Sequence, residues 1–181
     1  GSQLRVGNGQ YASYPNEALL KETIPNIRKL SVDMYPVGTG KFFGGFYVGT
    51  TGADLGFWAG ARQSSDYQRG EITVNTASGH LQPYTTQQTA ELPQTEDGAY
   101  APFFSAANTK DPVNLTLEFG ESEITATLTN LGNNNVLTTT YPFNRSSLTG
   151  EIGLHTETCS VLFDDLTVEV ACENPADQEQ T

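Results

Sequence analysis

Cations are scarce in this 181-residue chain: nine Lys and Arg stand against 21 Asp and Glu, a formal charge of -12. Such a surface repels phosphate backbones and anionic bilayers, so nucleic acid is excluded as a partner. Histidine occurs only at His80 and His155 and cysteine only at Cys159 and Cys172, which leaves no His/Cys cluster at metal-ligand spacing. Met and Trp occur once each, and no apolar run approaches the ~20 residues of a membrane span, so no membrane insertion is expected. A nucleophile elbow and a phosphate-cradling glycine loop are also missing.

What the chain does have is alternation. Period-two apolar stretches separated by short turns run through 28–37, 41–50, 56–64, 71–77, 113–119, 123–130, 136–143, 150–156 and 161–170, the pattern of an all-β, antiparallel two-sheet sandwich. Only Asn16–Glu22, "NEALLKE", offers a short helical turn. Residues 115–141 read as a three-stranded meander in which Leu115, Leu117, Phe119, Ile124, Ala126 and Leu128 share the core face. The stretch 79–112 has no clear period, and within it Phe103 and Phe104 are expected to tuck into the core edge. Gly1-Ser2 reads as a remnant of tag removal, 3–172 as one domain and 173–181 as a solvated tail or linker. The chain is therefore expected to be a monomeric module of a longer, secreted protein, extracellular or on a cell surface, with that protein's other domains as neighbours. Cys159 and Cys172 read as buried thiols if 161–170 is one extended strand, or as a disulfide if the chain folds back between them.

The strand "GFWAGARQS" alternates Phe57, Ala59 and Ala61 with Trp58, Gly60 and Arg62. The second set lines up an aromatic plate, a gap and a guanidinium, the groups that stack on a sugar ring and bind its hydroxyls. Asp66, Tyr67 and Arg69 follow in a polar loop, and Tyr84 and Tyr100 lie in the long aperiodic stretch. These seven, Trp58, Arg62, Asp66, Tyr67, Arg69, Tyr84 and Tyr100, are the ligand-site residues that the sequence proposes. The opposing reading keeps Trp58 in the core and Arg62 as a surface charge, and alternation alone does not choose between the two.

Three segments, "GFYVGTTGADLGFWAGAR", "VNLTLEF…EITATLTN" and "TGEIGLHTETCSVLFDDLTVEV", in that order resemble the concanavalin A-like or laminin-G-like jelly rolls. The likeness is to the bacterial type found in carbohydrate-binding modules and in domains related to 3-keto-disaccharide hydrolases, and it covers about residues 28 to 170. The resemblance implies a jelly roll that binds a polysaccharide or oligosaccharide. Two adjacent carboxylates, Asp164 and Asp165, interrupt its last strand. Strict alternation would turn one of them inward, so a β-bulge that re-aims it is expected, with the carboxylate bracing its surroundings through hydrogen bonds. A ligand role toward a structural calcium ion is the second reading of this pair.

Catalysis finds little support. Glu121 and Glu123 sit at a hairpin tip without the Asp between them that laminarinase-like enzymes carry, and neither His80 nor His155 comes with a named partner for lyase chemistry. The expectation is a non-catalytic carbohydrate-binding module that requires no cofactor. A calcium-dependent adhesion domain and a hydrolase or lyase of the same fold are the alternatives.

Overall fold

A computed structural model describes residues 3–6, 16–37, 42–61, 69–77, 85–91, 96, 101–105, 111–157 and 160–171. The described residues form twelve strands: β1 (Leu4–Val6), β2 (Asn16–Leu19), β3 (Ile27–Val37), β4 (Phe42–Thr50), β5 (Asp54–Ala61), β6 (Gly70–Ala77), β7 (Thr85–Glu91), β8 (Val113–Phe119), β9 (Glu123–Asn130), β10 (Val136–Pro142), β11 (Leu148–Glu157) and β12 (Ser160–Val170). They pair into two antiparallel six-stranded sheets, ordered β1-β12-β3-β8-β9-β10 and β2-β11-β4-β5-β6-β7. The all-β sandwich expected from the alternation is the fold.

Between the sheets lies one core. Leu30, Val32, Met34, Leu115, Leu117, Ile124, Ala126 and Leu128 face it from the first sheet; Phe42, Phe46, Val48, Phe57, Ala59, Ile72 and Val74 face it from the second. β8, β9 and β10 form the expected meander, and their polar alternates, Thr116, Thr125, Thr127 and Thr138 among them, turn to the other side.

Two expectations require correction. Residues 16–19 form strand β2, not a helical turn, because β11 offers a free edge and Glu17 pairs there with His155. Four residues are also too few to sustain a helix without a packing partner, whereas a strand edge satisfies their backbone at once. The aperiodic 79–112 stretch contains β7, whose sequence TTQQTAE hides it: an edge strand with few apolar residues shows no alternation.

Phe103 and Phe104 are fully buried, as expected, in an edge-to-face pair with centroids 5.0 Å apart. Asparagines hold this segment down. Asn130 Nδ2 donates to the Phe103 carbonyl (2.9 Å) and to Asp111 Oδ2 (3.0 Å), Asn133 Nδ2 donates to the same carbonyl (3.1 Å), and Asn135 Nδ2 donates to the Pro102 carbonyl (3.0 Å). Burial works to raise the Asp111 carboxyl, but hydrogen bonds from Ser105 and Asn130 outweigh it and hold the group below its ordinary range.

The Asp164-Asp165 pair marks a β-bulge. Asp164 pairs with Asp33 and Thr167 with Ser31, so β12 spends three steps where β3 takes two. The extra residue swaps the faces of everything after it. Phe163 and Val168 both pack on the core although five positions separate them, and Asp165, which strict alternation would send inward, stands exposed at φ 49°. Asp164 braces the bulge, accepting from the Asp165 amide (3.0 Å) and from Gln3 Nε2 (3.3 Å). Cys159 and Cys172 lie outside the described residues.

Candidate functional site

The face of the second sheet turned away from the core brings together the chain's most varied chemistry. Register places Glu17, His155, Gly45, Trp58, Thr73 and Thr89 in one row across β2, β11, β4, β5, β6 and β7. The adjacent row is Leu19, Gly153, Tyr47, Gly56, Asn75 and Thr86. In both, glycine flanks an aromatic residue. With no Cβ beside them the rings can lie down across the sheet, and Trp58 and Tyr47 are buried although they point away from the core.

Gly45 is the sharpest case. A Cβ there would stand 1.7 Å from the Phe57 carbonyl oxygen. Above that gap Trp58 stacks on His155, ring centroids 3.7 Å apart and planes 22° from parallel. His155 Nε2 lies 3.3 Å from the Phe57 carbonyl, which can only accept, so this nitrogen carries the proton of the neutral ring. Burial drives the His155 pKa down to about 3, although the Phe57 bond opposes the shift. With its amide oriented to suit both neighbours, Asn75 accepts from Trp58 Nε1 (3.1 Å) and donates to Thr86 Oγ1 (3.2 Å).

Tyr47 occupies one end of the face. Its phenol bonds to the Asp54 carboxylate, and its pKa is driven up by burial first, then by that bond and by the charges of Asp54, Glu151 and Glu17. The hydroxyl therefore stays protonated as a donor. At the other end Arg69 forms an ion pair with Glu91, and Glu71 accepts from Thr73 Oγ1 (2.7 Å). Thr86 and Thr89 are exposed beside them, with Thr73 and Asn75 half-buried.

Of the residues proposed from sequence, Trp58 and Arg69 both belong to this face. The alternation of β5 is as read, with Phe57, Ala59 and Ala61 in the core and Trp58 on the opposite side. Trp58 is nevertheless only 3% exposed, so the open aromatic plate is corrected to a covered one committed to His155 and Asn75. Arg62, Asp66, Tyr67, Tyr84 and Tyr100 lie outside the described residues. Asp164 and Asp165 are on the first sheet, apart from this face, and among the described residues no group of three or more His, Cys, Asp and Glu is arranged to hold a metal ion. His155, which the sequence left without a named partner, makes a structural hydrogen bond to the Phe57 carbonyl, and His80 lies outside the described residues.

Sequence reasoning missed Tyr47, Asn75, Glu71 and Glu17. The signal was the glycine spacing in "FFGGFYVG" and "LGFWAG": glycine alternating with aromatic residues on one face of a strand is poor core packing but a good floor.

No protein-family model matches the chain, and no curated protein matches it in sequence. Solved structures do match in shape. The enzymatically active domain of bacteriophage CBA120 tailspike protein 2 superposes with a TM-score of 0.56 at 12% identity over 87% of this chain and 24% of that one. The alginate lyase of Klebsiella pneumoniae gives 0.50 at 10% identity over 82% of this chain and 61% of the enzyme. The CBM2 module of the evolved Dit protein of Lactobacillus casei phage J-1 gives 0.50 at 10% identity, covering 94% of this chain and 78% of that one. The chain thus spans less than two thirds of the first two proteins. Together with the two antiparallel sheets, these likenesses define the fold as a jelly-roll sandwich of the concanavalin A-like type.

Proposed function

We propose that the chain is a non-catalytic carbohydrate-binding module that takes a polysaccharide or its terminal sugars on the outer face of the second sheet. The observation that carries this reading is the composition of that face: Arg69, Glu91, Thr73, Asn75, Thr86 and Thr89 set a planar fork, carboxylate, amide and hydroxyls beside a floor of Trp58 and Tyr47. Sugar hydroxyls demand multi-donor and multi-acceptor groups held rigidly, and strands hold them more rigidly than loops do. The burial of Trp58 shifts the weight of binding from ring stacking to this polar half of the face. The shape shared with the CBM2 module of the phage J-1 Dit protein agrees with such a role.

Binding without chemistry is the economical reading. Among the described residues of the face, Glu71 and Glu91 are engaged by Thr73 and Arg69, and His155 is a buried neutral ring stacked on Trp58, which supports binding without chemistry. We place the parent protein outside the cell.

Retention on a panel of immobilised polysaccharides, with calcium and with chelator, tests the reading while the supernatant is assayed for reducing or unsaturated ends. Retention without product, weakened by Arg69→Ala and by Thr89→Ala, is the expected result. Released ends would make the chain an enzyme, loss of retention with chelator would favour calcium-dependent adhesion, and no retention on any glycan would end the proposal.

A further inference from the structure

Asparagine followed two residues later by Ser or Thr occurs at Asn114-Leu115-Thr116 and at Asn144-Arg145-Ser146, in both cases without Pro between. The spacing matters because the hydroxyl at the third position can reach the amide at the first and fix which way it points. In both it does: Thr116 Oγ1 donates to Asn114 Oδ1 (2.9 Å), and Ser146 Oγ donates to Asn144 Oδ1 (2.8 Å). The two amides differ in what their nitrogens do.

Asn144 caps the short 3-10 helix of Arg145–Ser147 that joins β10 to β11. Its Oδ1 also accepts from the Ser146 amide (3.1 Å), which closes an Asx turn. Arg145, between the two, is pinned inward: its guanidinium donates to the Phe119 and Ile27 carbonyls (2.8 and 2.6 Å), and its amide donates to the Glu121 carbonyl (3.1 Å). Asn144 and Ser146 are thereby left exposed. The amide oxygen is engaged twice, and among the described residues Asn144 Nδ2 has no acceptor. Asn114 is the opposite case. It lies half-buried inside β8, and its Nδ2 donates to Ser31 Oγ (3.0 Å) and to Asp33 Oδ1 (2.7 Å), so both amide hydrogens are committed.

We infer that Asn144 is a modification site, the acceptor of an N-linked glycan wherever the chain passes through a glycosylating secretory compartment, and that Asn114 is not one in the folded chain. The co-reactant is an oligosaccharide carried on a lipid pyrophosphate. Asn144 Nδ2 bonds to its anomeric carbon, the bond from that carbon to the pyrophosphate oxygen breaks and the electron pair leaves with the oxygen, and Nδ2 gives up one hydrogen as a proton. A bulky, hydrated substituent suits an exposed turn. At Asn114 the same step would remove a hydrogen already given to Ser31 or Asp33 and set a sugar between Asp33 and Thr129, its partners on the two flanking strands. The inference is independent of what the second sheet binds.

The test sends the whole domain through a eukaryotic secretion host behind a cleavable leader. The secreted chain is treated with the amidase that releases N-linked glycans, in heavy-oxygen water, so that each formerly glycosylated Asn is marked as a labelled Asp in the peptide mass map. The expected result is one glycan per chain, on Asn144, absent from Asn144→Gln and from Ser146→Ala and retained by Asn114→Gln. Secreted chain without a glycan would overturn the inference, as would a labelled residue at position 114 or full occupancy surviving Ser146→Ala. The label is read on the wild-type chain, so the position is decided without relying on the folding of any variant.

Discussion

His155 lies against Trp58 with ring centroids 3.7 Å apart, although the strand between them, β4, separates β11 from β5. The contact exists because β4 contributes Gly45 at the crossing. A Cβ there would run into the Phe57 carbonyl oxygen (1.7 Å) and stand 3.2 Å from Leu115 Cδ2, so the crossing admits glycine alone without a backbone shift.

Gly45→Ala is accordingly expected to destabilise the domain by about 3 kcal/mol or more, since its methyl would meet the Phe57 backbone carbonyl, which cannot swing away as a side chain could. Gly52→Ala, whose nearest neighbour would be 3.9 Å distant, is expected to change stability by less than about 0.5 kcal/mol. Urea unfolding of the two variants checks the contrast, and similar midpoints would show that the backbone at this crossing can yield to a methyl group.

A second expectation concerns acid. The His155 pKa in the folded chain, about 3, lies below the ordinary value of 6.5, so the unfolded chain binds the extra proton first as the pH falls. The stability owed to neutral His155 is complete above about pH 6.5 and is lost toward pH 3, at no more than ~1.4 kcal/mol per pH unit for one proton. Between pH 6.5 and 4.5, before most carboxylates titrate, the wild-type chain should lose stability while His155→Gln does not. Parallel pH profiles for the two would count against the buried neutral ring.

Trp58 is the chain's single tryptophan, so fluorescence reports on this site alone. Its emission should be that of a buried indole, poorly quenched by acrylamide, and should move to the red only on unfolding. Trp58→Ala should lower stability by about 3–5 kcal/mol, as removal of a buried ring does. An emission already red-shifted in the native state would restore the open aromatic plate.

Asn130 ties three things to one buried amide: the Phe103 carbonyl, Asp111 and, through its oxygen, the Gly132 amide (2.8 Å). Asn130→Ala should cost about 2–4 kcal/mol by leaving these groups without their partner, and should open residues 101–105 to limited proteolysis before global unfolding. Cleavage there at the wild-type rate would show that Asn133 and Asn135 suffice.

At the bulge, Asp165 holds a left-handed φ of 49° with its side chain in solvent. Asp165→Gly removes that strain and is expected to leave stability unchanged or raise it by about 0.5–1 kcal/mol, whereas Asp164→Ala should cost about 1 kcal/mol by stripping the bulge of its brace. Thermal unfolding distinguishes the two, and a clear loss from Asp165→Gly would give that carboxylate a role beyond geometry.

Much of the fold was legible in advance because period-two burial writes itself into a strand that has one wet face: the meander of β8 to β10 and the two faces of β5 could be read residue by residue. The bulge was legible as well, since two adjacent carboxylates between apolar residues leave alternation no other exit. β7 and β2 were not, because an edge strand of Thr and Gln, or one of four residues, carries no period and is recruited by the open edge of its neighbour.

The sequence by itself determined an acidic all-β domain, the positions of most strands, the burial of Phe103 and Phe104 and the division of β5 into a Phe57 side and a Trp58 side. Tertiary structure alone decided that the Phe57 side of β5 is the core, that Trp58 is covered on the other side, and that His155 is its partner. Alternation is a property of one strand and fixes only the side to which a residue turns. What it meets there depends on the order of strands across the sheet, which pairings far apart in the chain establish.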